Sequence, residues 1–149
     1  MELTVTATKK LGLITRLGAT AVIATGLALA TQSSAMAAPT VSVSPASGLS
    51  DGQTVAVSAS GLTPNTVFHI GQCAQVEPQK FGCDKSTSTD VTTNAQGEIN
   101  TSLVVHSSFE AVVSADGPVW GTVDAKTTQT QVVVLSDTGE GGGQAITFK

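Results

Sequence analysis

The chain has 149 residues, a net charge of −4, and aromatic side chains at only 3% of its positions. This length suits one domain. An acidic surface repels phosphate backbones, and a chain with this small number of aromatic rings cannot form a surface on which bases stack. Composition and charge therefore argue against direct binding of nucleic acid by the polypeptide.

Residues 1–37 have the three parts of a secretory signal peptide. Positive residues, Arg16 among them, flank the start of an uncharged and mostly apolar run at 17–30, and Ala-Met-Ala at 35–37 forms a small-x-small cleavage site. A transmembrane anchor is the alternative, but this run of about 14 residues is shorter than the roughly 20 that span a bilayer. We expect cleavage after Ala37 and a secreted, membrane-free domain at 38–149. That domain has four lysines, ten acids and a net charge of −6.

Residues 38–149 lack the spacing of apolar residues that helices show. They contain short alternating runs rich in Val, Thr and Ser, separated by Gly, Pro, Asn and Asp, which predict strands. Longer loops are predicted at Ser107–Pro118 and Ser136–Gly143. Seven or eight short strands in one domain predict an all-β fold, an immunoglobulin-like antiparallel β-sandwich with a ligand cleft at one end. The predicted strands are Val41–Ser44, Val55–Ala59, Val67–Ala74, Thr87–Thr93, Ile99–Val105, Val119–Asp124, Gln131–Leu135 and Ala145–Phe148.

The two cysteines, Cys73 and Cys83, lie in the stretch QCAQVEPQKFGCD at 72–84. In an exported chain this pair predicts one disulfide. Metal binding with His69 and His106 is the alternative, although the ligands are few. A disulfide closing so short a loop contributes roughly 2.5–3 kcal/mol to stability. We predict a strand, a stapled loop and a return strand here, and expect this rigid loop to bind the ligand.

Catalytic motifs are not apparent in the sequence. It has no Gly-x-Ser-x-Gly elbow, no zinc or calcium spacing, and its two histidines, His69 and His106, belong to different segments. Single histidines of this kind are usually surface or strand residues. The residues therefore predict a binding domain rather than an enzyme, with no catalytic cofactor and no metal.

Eight stretches, spread over the whole of residues 38–149, carry a recognisable pattern. Together they resemble the neocarzinostatin family of enediyne antitumour antibiotic apoproteins. The stretches are Thr40–Gly52 (TVSVSPASGLSDG), Ser60–Pro64, Val67–Ala74 (VFHIGQCA), Gly82–Asp84, Ser88–Thr92, Val105–Phe109 (VHSSF), Trp120–Asp124 and Gln144–Phe148 (QAITF).

The resemblance implies a seven-stranded immunoglobulin-like sandwich that holds a labile enediyne-type chromophore in a cleft without a covalent bond. The apoprotein protects and carries the chromophore, which damages DNA after release and so has antibacterial and cytotoxic effects. The implied partner is this small molecule, and DNA is reached only through it. The resemblance also implies an extracellular protein, and we expect a monomer.

The resemblance further implies the ligand-binding positions, with the Cys73–Cys83 disulfide as the cleft floor. Gln75, Ser88 and Ala115 stand at or near positions where the family has aromatic residues, so the ligand is expected to differ from the neocarzinostatin chromophore. Each position could instead hold an ordinary strand or loop residue. The positions are Gly71, Gln72, Cys73, Gln75, Phe81, Cys83, Ser88, Ala115, Gln131 and Ser136.

One departure from the family pattern concerns a second disulfide, because the matching positions hold Ala125 and Thr130. We expect a looser hairpin there and a stability lower by roughly 2–4 kcal/mol. Two other functions stay open. One is a secreted immunoglobulin-like structural or adhesion module that has lost its ligand, and the other is a weak hydrolase, for which no residues are evident.

Overall fold

The computed structural model describes residues 37–149, and the predicted signal peptide at 1–37 lies almost wholly outside them. Ten strands and no helix make up the described residues. Nothing helical in this part of the chain is long and apolar enough to cross a membrane. The strands are β1 (Thr40–Ser44), β2 (Gln53–Ser60), β3 (Val67–Glu77), β4 (Lys80–Asp84), β5 (Thr89–Thr92), β6 (Ile99–Val105), β7 (Ser108–Val112), β8 (Val119–Asp124), β9 (Thr130–Leu135) and β10 (Gly141–Ile146).

The strands form two antiparallel sheets. One has the order β1-β2-β6, and the other has the order β10-β9-β3-β4-β7-β8 with β5 also paired to β3. Strand β3 is the hub of the larger sheet. One of its edges pairs with β9, and the other pairs first with β5 and then, from Cys73 onward, with β4. The predicted all-β antiparallel sandwich is confirmed.

Two clusters of buried apolar side chains hold the fold together. The larger lies between the two sheets and includes Phe68 and Ile70 of β3, both essentially inaccessible to water. The smaller joins Ala74 of β3 to Phe109 of β7 and Val123 of β8. Burial of apolar area is the main favourable contribution to folding, so β3 is stabilised from both ends.

Three predicted loops contain strands. The loop predicted between the two cysteines is mostly strand, because β3 and β4 extend into it and leave only two residues between them. The predicted loop Ser107–Pro118 contains β7. Its apolar alternation is limited to Phe109 and Ala111, too short a run to stand out in the sequence. Strand β10 starts at Gly141, inside the predicted Gly-rich loop Ser136–Gly143. Main-chain pairing with β9 needs no side chains, so a glycine run can form a strand without showing alternation.

Gln72 is a fully buried polar residue on the inner face of β3, between Ile70 and Ala74. Both ends of its amide are used. Its Nε2 donates to the carbonyl of His106 at 2.8 Å, and its Oε1 accepts the backbone N–H of His106 at 2.7 Å. The side chain therefore ties β3 to the segment that joins β6 to β7, where the two apolar clusters meet.

We expect Gln72→Ala to lower the free energy of unfolding by about 2–4 kcal/mol, because it leaves two buried backbone groups without partners. Gln75→Ala, an exposed position on the same strand, is the matched control and should change stability by less than about 0.5 kcal/mol. Urea denaturation of both variants measures the difference. Equal losses of stability in the two variants would contradict the stabilising role assigned to the buried Gln72 amide.

Candidate ligand-binding cleft

The outer face of the seven-stranded sheet carries a cleft of about 500 Å³. Alternation along β3 turns His69, Gly71 and Cys73 to this face. Strand β9 brings Val133 and Leu135 to the same face, since they pair with Gly71 and His69. The lining residues are His69, Ile70, Gly71, Cys73, Cys83, Lys85, Ser88, Asp90, Val112, Val113, Ser114, Ala115, Val133 and Leu135. Most of them are apolar, so the floor suits an apolar ligand.

The Cys73–Cys83 disulfide, predicted from the sequence, joins directly paired residues of β3 and β4. Both cysteines line the cleft floor. Cys73 also borders a second recess of about 350 Å³, which Gln75, Phe81 and Gln131 help to line. The disulfide therefore stands between two adjoining parts of one surface and fixes the β3–β4 hairpin against movement.

Gly71 and Ser88 meet in the middle of the cleft. A β-carbon built on Gly71 would lie 2.8 Å from Ser88 Oγ and 3.7 Å from Ser88 Cβ. Ser88 Oγ is held there because it donates to the carbonyl of Asp84 at 2.6 Å. A side chain at residue 71 would therefore collide with the Ser88 hydroxyl, and the absence of one leaves space that a ligand would use.

His69 stands at the rim of the cleft with its side chain about half exposed. Its Nδ1 donates to Asp90 Oδ1 at 2.6 Å, and its Nε2 lies 2.8 Å from Asp137 Oδ1. The hydrogen bond to Asp90, and then that to Asp137, raise the pKa of His69 above its ordinary value of 6.5. These contacts join β3, β5 and the turn between β9 and β10 at one side of the cleft.

The opposite side of the cleft is formed by the segment between β7 and β8. Val113, Ser114 and Ala115 line the cleft there. Lys85 Nζ donates to the carbonyl of Ala115 and so links this segment to the end of β4. Val113 is 43% exposed, which leaves an apolar wall open to a ligand.

The structure brings eight of the ten predicted ligand-binding residues to this surface. Five line the main cleft and three line the adjoining recess. Gln72 and Ser136 do not line either: the Gln72 side chain faces the core, and Ser136 Oγ bonds to Thr138 and to the backbone N–H of Glu140. The main cleft takes Gly71, Cys73, Cys83, Ser88 and Ala115, and the recess takes Gln75, Phe81 and Gln131.

Sequence reasoning missed the apolar wall on β9 and the charged rim. Val133 and Leu135 share one face of β9 with Gln131, so the two-residue period of a strand could have identified them. Asp137 carries no comparable signal, because only the folding of the β9–β10 turn brings it to His69.

The second histidine, His106, lies outside the cleft and pairs with a buried carboxylate. Its Nδ1 is 2.9 Å from Asp84 Oδ2. Burial alone would raise the pKa of Asp84, but hydrogen bonds from Ser86 and His106 outweigh burial and hold it below its ordinary value. The hydroxyls of Ser86 and Thr87 donate to Asp84, at 2.6 and 3.3 Å, rather than to the imidazole. The pair therefore serves to order the end of β4.

Ala125 and Thr130, the two positions that the resemblance matches to a second disulfide, are both buried. Ala125 is 6% exposed and Thr130 is 1% exposed, and Thr130 Oγ1 has no hydrogen-bond partner among the described residues. Hydrogen bonds to Asp124 from the backbone of Lys126 and Thr128, both at 2.9 Å, close the turn between them. The expected loss of stability at this hairpin stays a prediction.

Comparison with known proteins identifies the family. The profile of the Neocarzinostatin family matches residues 41–148. Macromomycin of Streptomyces macromomyceticus is 56% identical over 135 residues, 91% of this chain and 94% of that protein. The antitumor antibiotic C-1027 apoprotein of Streptomyces globisporus is 48% identical over 112 residues, 75% of this chain and 77% of that protein. A solved structure of macromomycin superposes with a TM-score of 0.74 at 62% identity, over 75% of this chain and all of that one.

The chain is an all-β sandwich with a disulfide-floored cleft on the outer face of its larger sheet. With a profile match across nearly all of the described residues, the chain belongs to the Neocarzinostatin family. The resemblance stated from the sequence is thereby confirmed.

We expect the cost of Gly71→Ala to depend on Ser88. The new methyl group displaces Ser88 Oγ from the Asp84 carbonyl, which costs about 1 kcal/mol for one hydrogen bond. In a Ser88→Ala background only the contact at 3.7 Å remains, so the same change should be neutral or slightly stabilising. A double-mutant cycle by urea denaturation measures the coupling. Additive effects would show that the hydroxyl does not fix the glycine.

Proposed function

We propose that this protein binds, protects and carries a labile enediyne-type chromophore, without a covalent bond, in the cleft over Cys73–Cys83. The observation that carries the proposal is a preformed, mostly apolar cleft of about 500 Å³ in a member of this family. This volume is within the range of sites that bury most of a small ligand. Release of the chromophore would damage DNA and give antibacterial and cytotoxic effects.

The chemistry of the cleft suits the protection of a labile ligand from thiols and nucleophiles. Both cysteines of the chain are joined in the disulfide, so the carrier presents no thiol to a reactive ligand. A floor of Gly71, Cys73 and Val133 packed on the sheet excludes water and nucleophiles from one side of the bound molecule. Because binding depends on burial rather than on a bond, the ligand can leave intact.

The small side chains at Ser88 and Ala115 support a ligand different from the neocarzinostatin chromophore. Space that the family fills with aromatic rings is open here, and it lies beside the apolar wall of Val113 and Leu135. A wider group on the ligand, rather than stacking rings on the protein, would supply the contact area. DNA contacts would belong to the released ligand, since residues 38–149 carry a net charge of −6.

We also propose export, cleavage after Ala37 and a monomeric extracellular protein. The disulfide supports this location, since such bonds persist in oxidising compartments. The similarity to an antitumor antibiotic apoprotein supports a binding protein rather than an enzyme.

Native mass spectrometry tests the carrier function on protein secreted by its own organism and kept cold and dark. We expect a polypeptide starting at Ala38, lighter by the two hydrogens of a disulfide, with an adduct that is lost on denaturation. A bare polypeptide would count against the carrier and favour the structural or adhesion module.

Val133→Phe should abolish the adduct, because the ring would occupy the floor of the cleft. Val104→Phe is the matched control: Val104 is a partly exposed strand valine on β6 that does not line the cleft, and it should keep the adduct. Both proteins would be made in the same organism and compared in one spectrum series. An adduct of undiminished intensity on Val133→Phe would place the ligand elsewhere.

A further inference from the structure

The rim of the cleft holds a charged cluster that retention by apolar burial does not require. His69 lies between Asp90 and Asp137, with a carboxylate oxygen within 2.8 Å of each ring nitrogen. A carboxylate can only accept a hydrogen bond, and a neutral imidazole donates with one nitrogen only. Both contacts together therefore need the doubly protonated imidazolium.

This cluster is the link between the β9–β10 turn and the central strand at the cleft rim. Asp137 is 92% exposed, and its carboxylate reaches β3 through His69. Leu135, which lines the cleft, lies two residues before Asp137. Leu135 itself is held by its pairing with His69 of β3 and Gly141 of β10, so the imidazolium fixes the turn that follows Leu135 and the His69 ring, which also lines the cleft.

Other charged groups nearby have separate partners. Glu140, in the same turn, accepts hydrogen bonds from the backbone and hydroxyl of Thr63 at 2.9 and 2.8 Å. Lys85, across the cleft, donates to the carbonyl of Ala115. Asp90 from β5 and Asp137 from the turn are the charged groups that face His69 from the described elements around it.

We propose that His69, Asp90 and Asp137 form a pH-dependent clamp that controls how tightly the cleft retains its ligand. The inference rests on the proposed carrier function and adds the regulation of that same site. While the imidazolium is present, both bonds hold the His69 ring and the β9–β10 turn in place at the cleft rim. After it loses a proton, one nitrogen presents a lone pair to a carboxylate, that bond breaks, and Asp137 releases the turn.

The direction of the effect follows from the raised pKa of His69. A group whose pKa is higher in the folded state stabilises that state fully below its unfolded value, about 6.5 for histidine. The contribution is lost as pH rises through the higher folded value. Retention should therefore be strongest in mildly acidic solution and weaker in mildly alkaline solution.

The test uses N-phenyl-1-naphthylamine, an apolar dye that stays neutral between about pH 5.5 and 8.5, where histidine titrates. Stopped-flow dilution measures its dissociation rate from the full protein. We expect the rate to rise by up to about tenfold across this range, because a factor of ten corresponds to about 1.4 kcal/mol, the order of one lost hydrogen bond. In His69→Gln, which can bond only one carboxylate at a time, the rate should be high and independent of pH. His106→Gln changes the other histidine and should keep the pH dependence.

A second measurement needs no ligand. The protection factors of the Ser136 and Gly139 amides, which are hydrogen-bonded within the turn, should fall as the His69 imidazole signal titrates in the NMR spectrum. The clamp is overturned, and the carrier function left standing, if the dye binds but dissociates at a rate independent of pH. The same holds if the rate has the same pH dependence in His69→Gln. Failure of the dye to bind at any pH, with exchange unchanged by titration, would overturn both.

Discussion

The alternation of side chains along β3 is the constraint on which the rest of the structure depends. Successive residues of a strand must face opposite sides of its sheet, so the same eleven residues build the core and the cleft at once. Phe68 and Ile70 enter the larger apolar cluster, and Ala74 enters the smaller one. The residues between them form the cleft floor. Gln72 keeps this arrangement in place, because an inward-facing amide would be costly without partners and the backbone of His106 supplies two. A shift of β3 by one residue would place the disulfide in the core and Gln72 in the cleft.

The sequence could predict much of the fold because its signals are local. Apolar runs marked β2, β6 and β9 within a residue or two of their ends, and two cysteines in an exported chain predicted the bond that the structure contains. The start of β10, residues 141–144, escaped, because its glycines carry no alternation and its pairing is made by main-chain groups. Strand β7 was not predicted, because its two buried residues, Phe109 and Ala111, are too few to form a pattern in the sequence. Their burial depends on Ala74 and Val123, which pack beside them only in the folded chain.

The candidate site was less predictable, and the reason is geometric. Residues carried over by family resemblance mostly line the candidate cleft or the adjoining recess, since the disulfide and Gly71 fix its position along β3. Gln72 shows that proximity in the chain does not predict which face of the sheet a residue takes. It lies next to Cys73 in the chain but on the other side of the sheet. The rim could not be predicted, because His69, Asp90 and Asp137 are brought together by three different segments.

A carrier without a covalent bond has to hold its ligand firmly and still let it go, and the two demands suit different parts of the cleft. The floor cannot supply control, because a charged group buried there would carry a desolvation cost of several kcal/mol. It is apolar and tied by a disulfide, which favours constant affinity. The rim is half exposed, so ionisation of His69 is possible there at modest cost, and His69 and Asp90 themselves line the cleft. A ligand responds to such a change only as far as it binds the two states of the rim differently. The position of the His69 ring, against the ligand space and within the clamp, is what would make that difference.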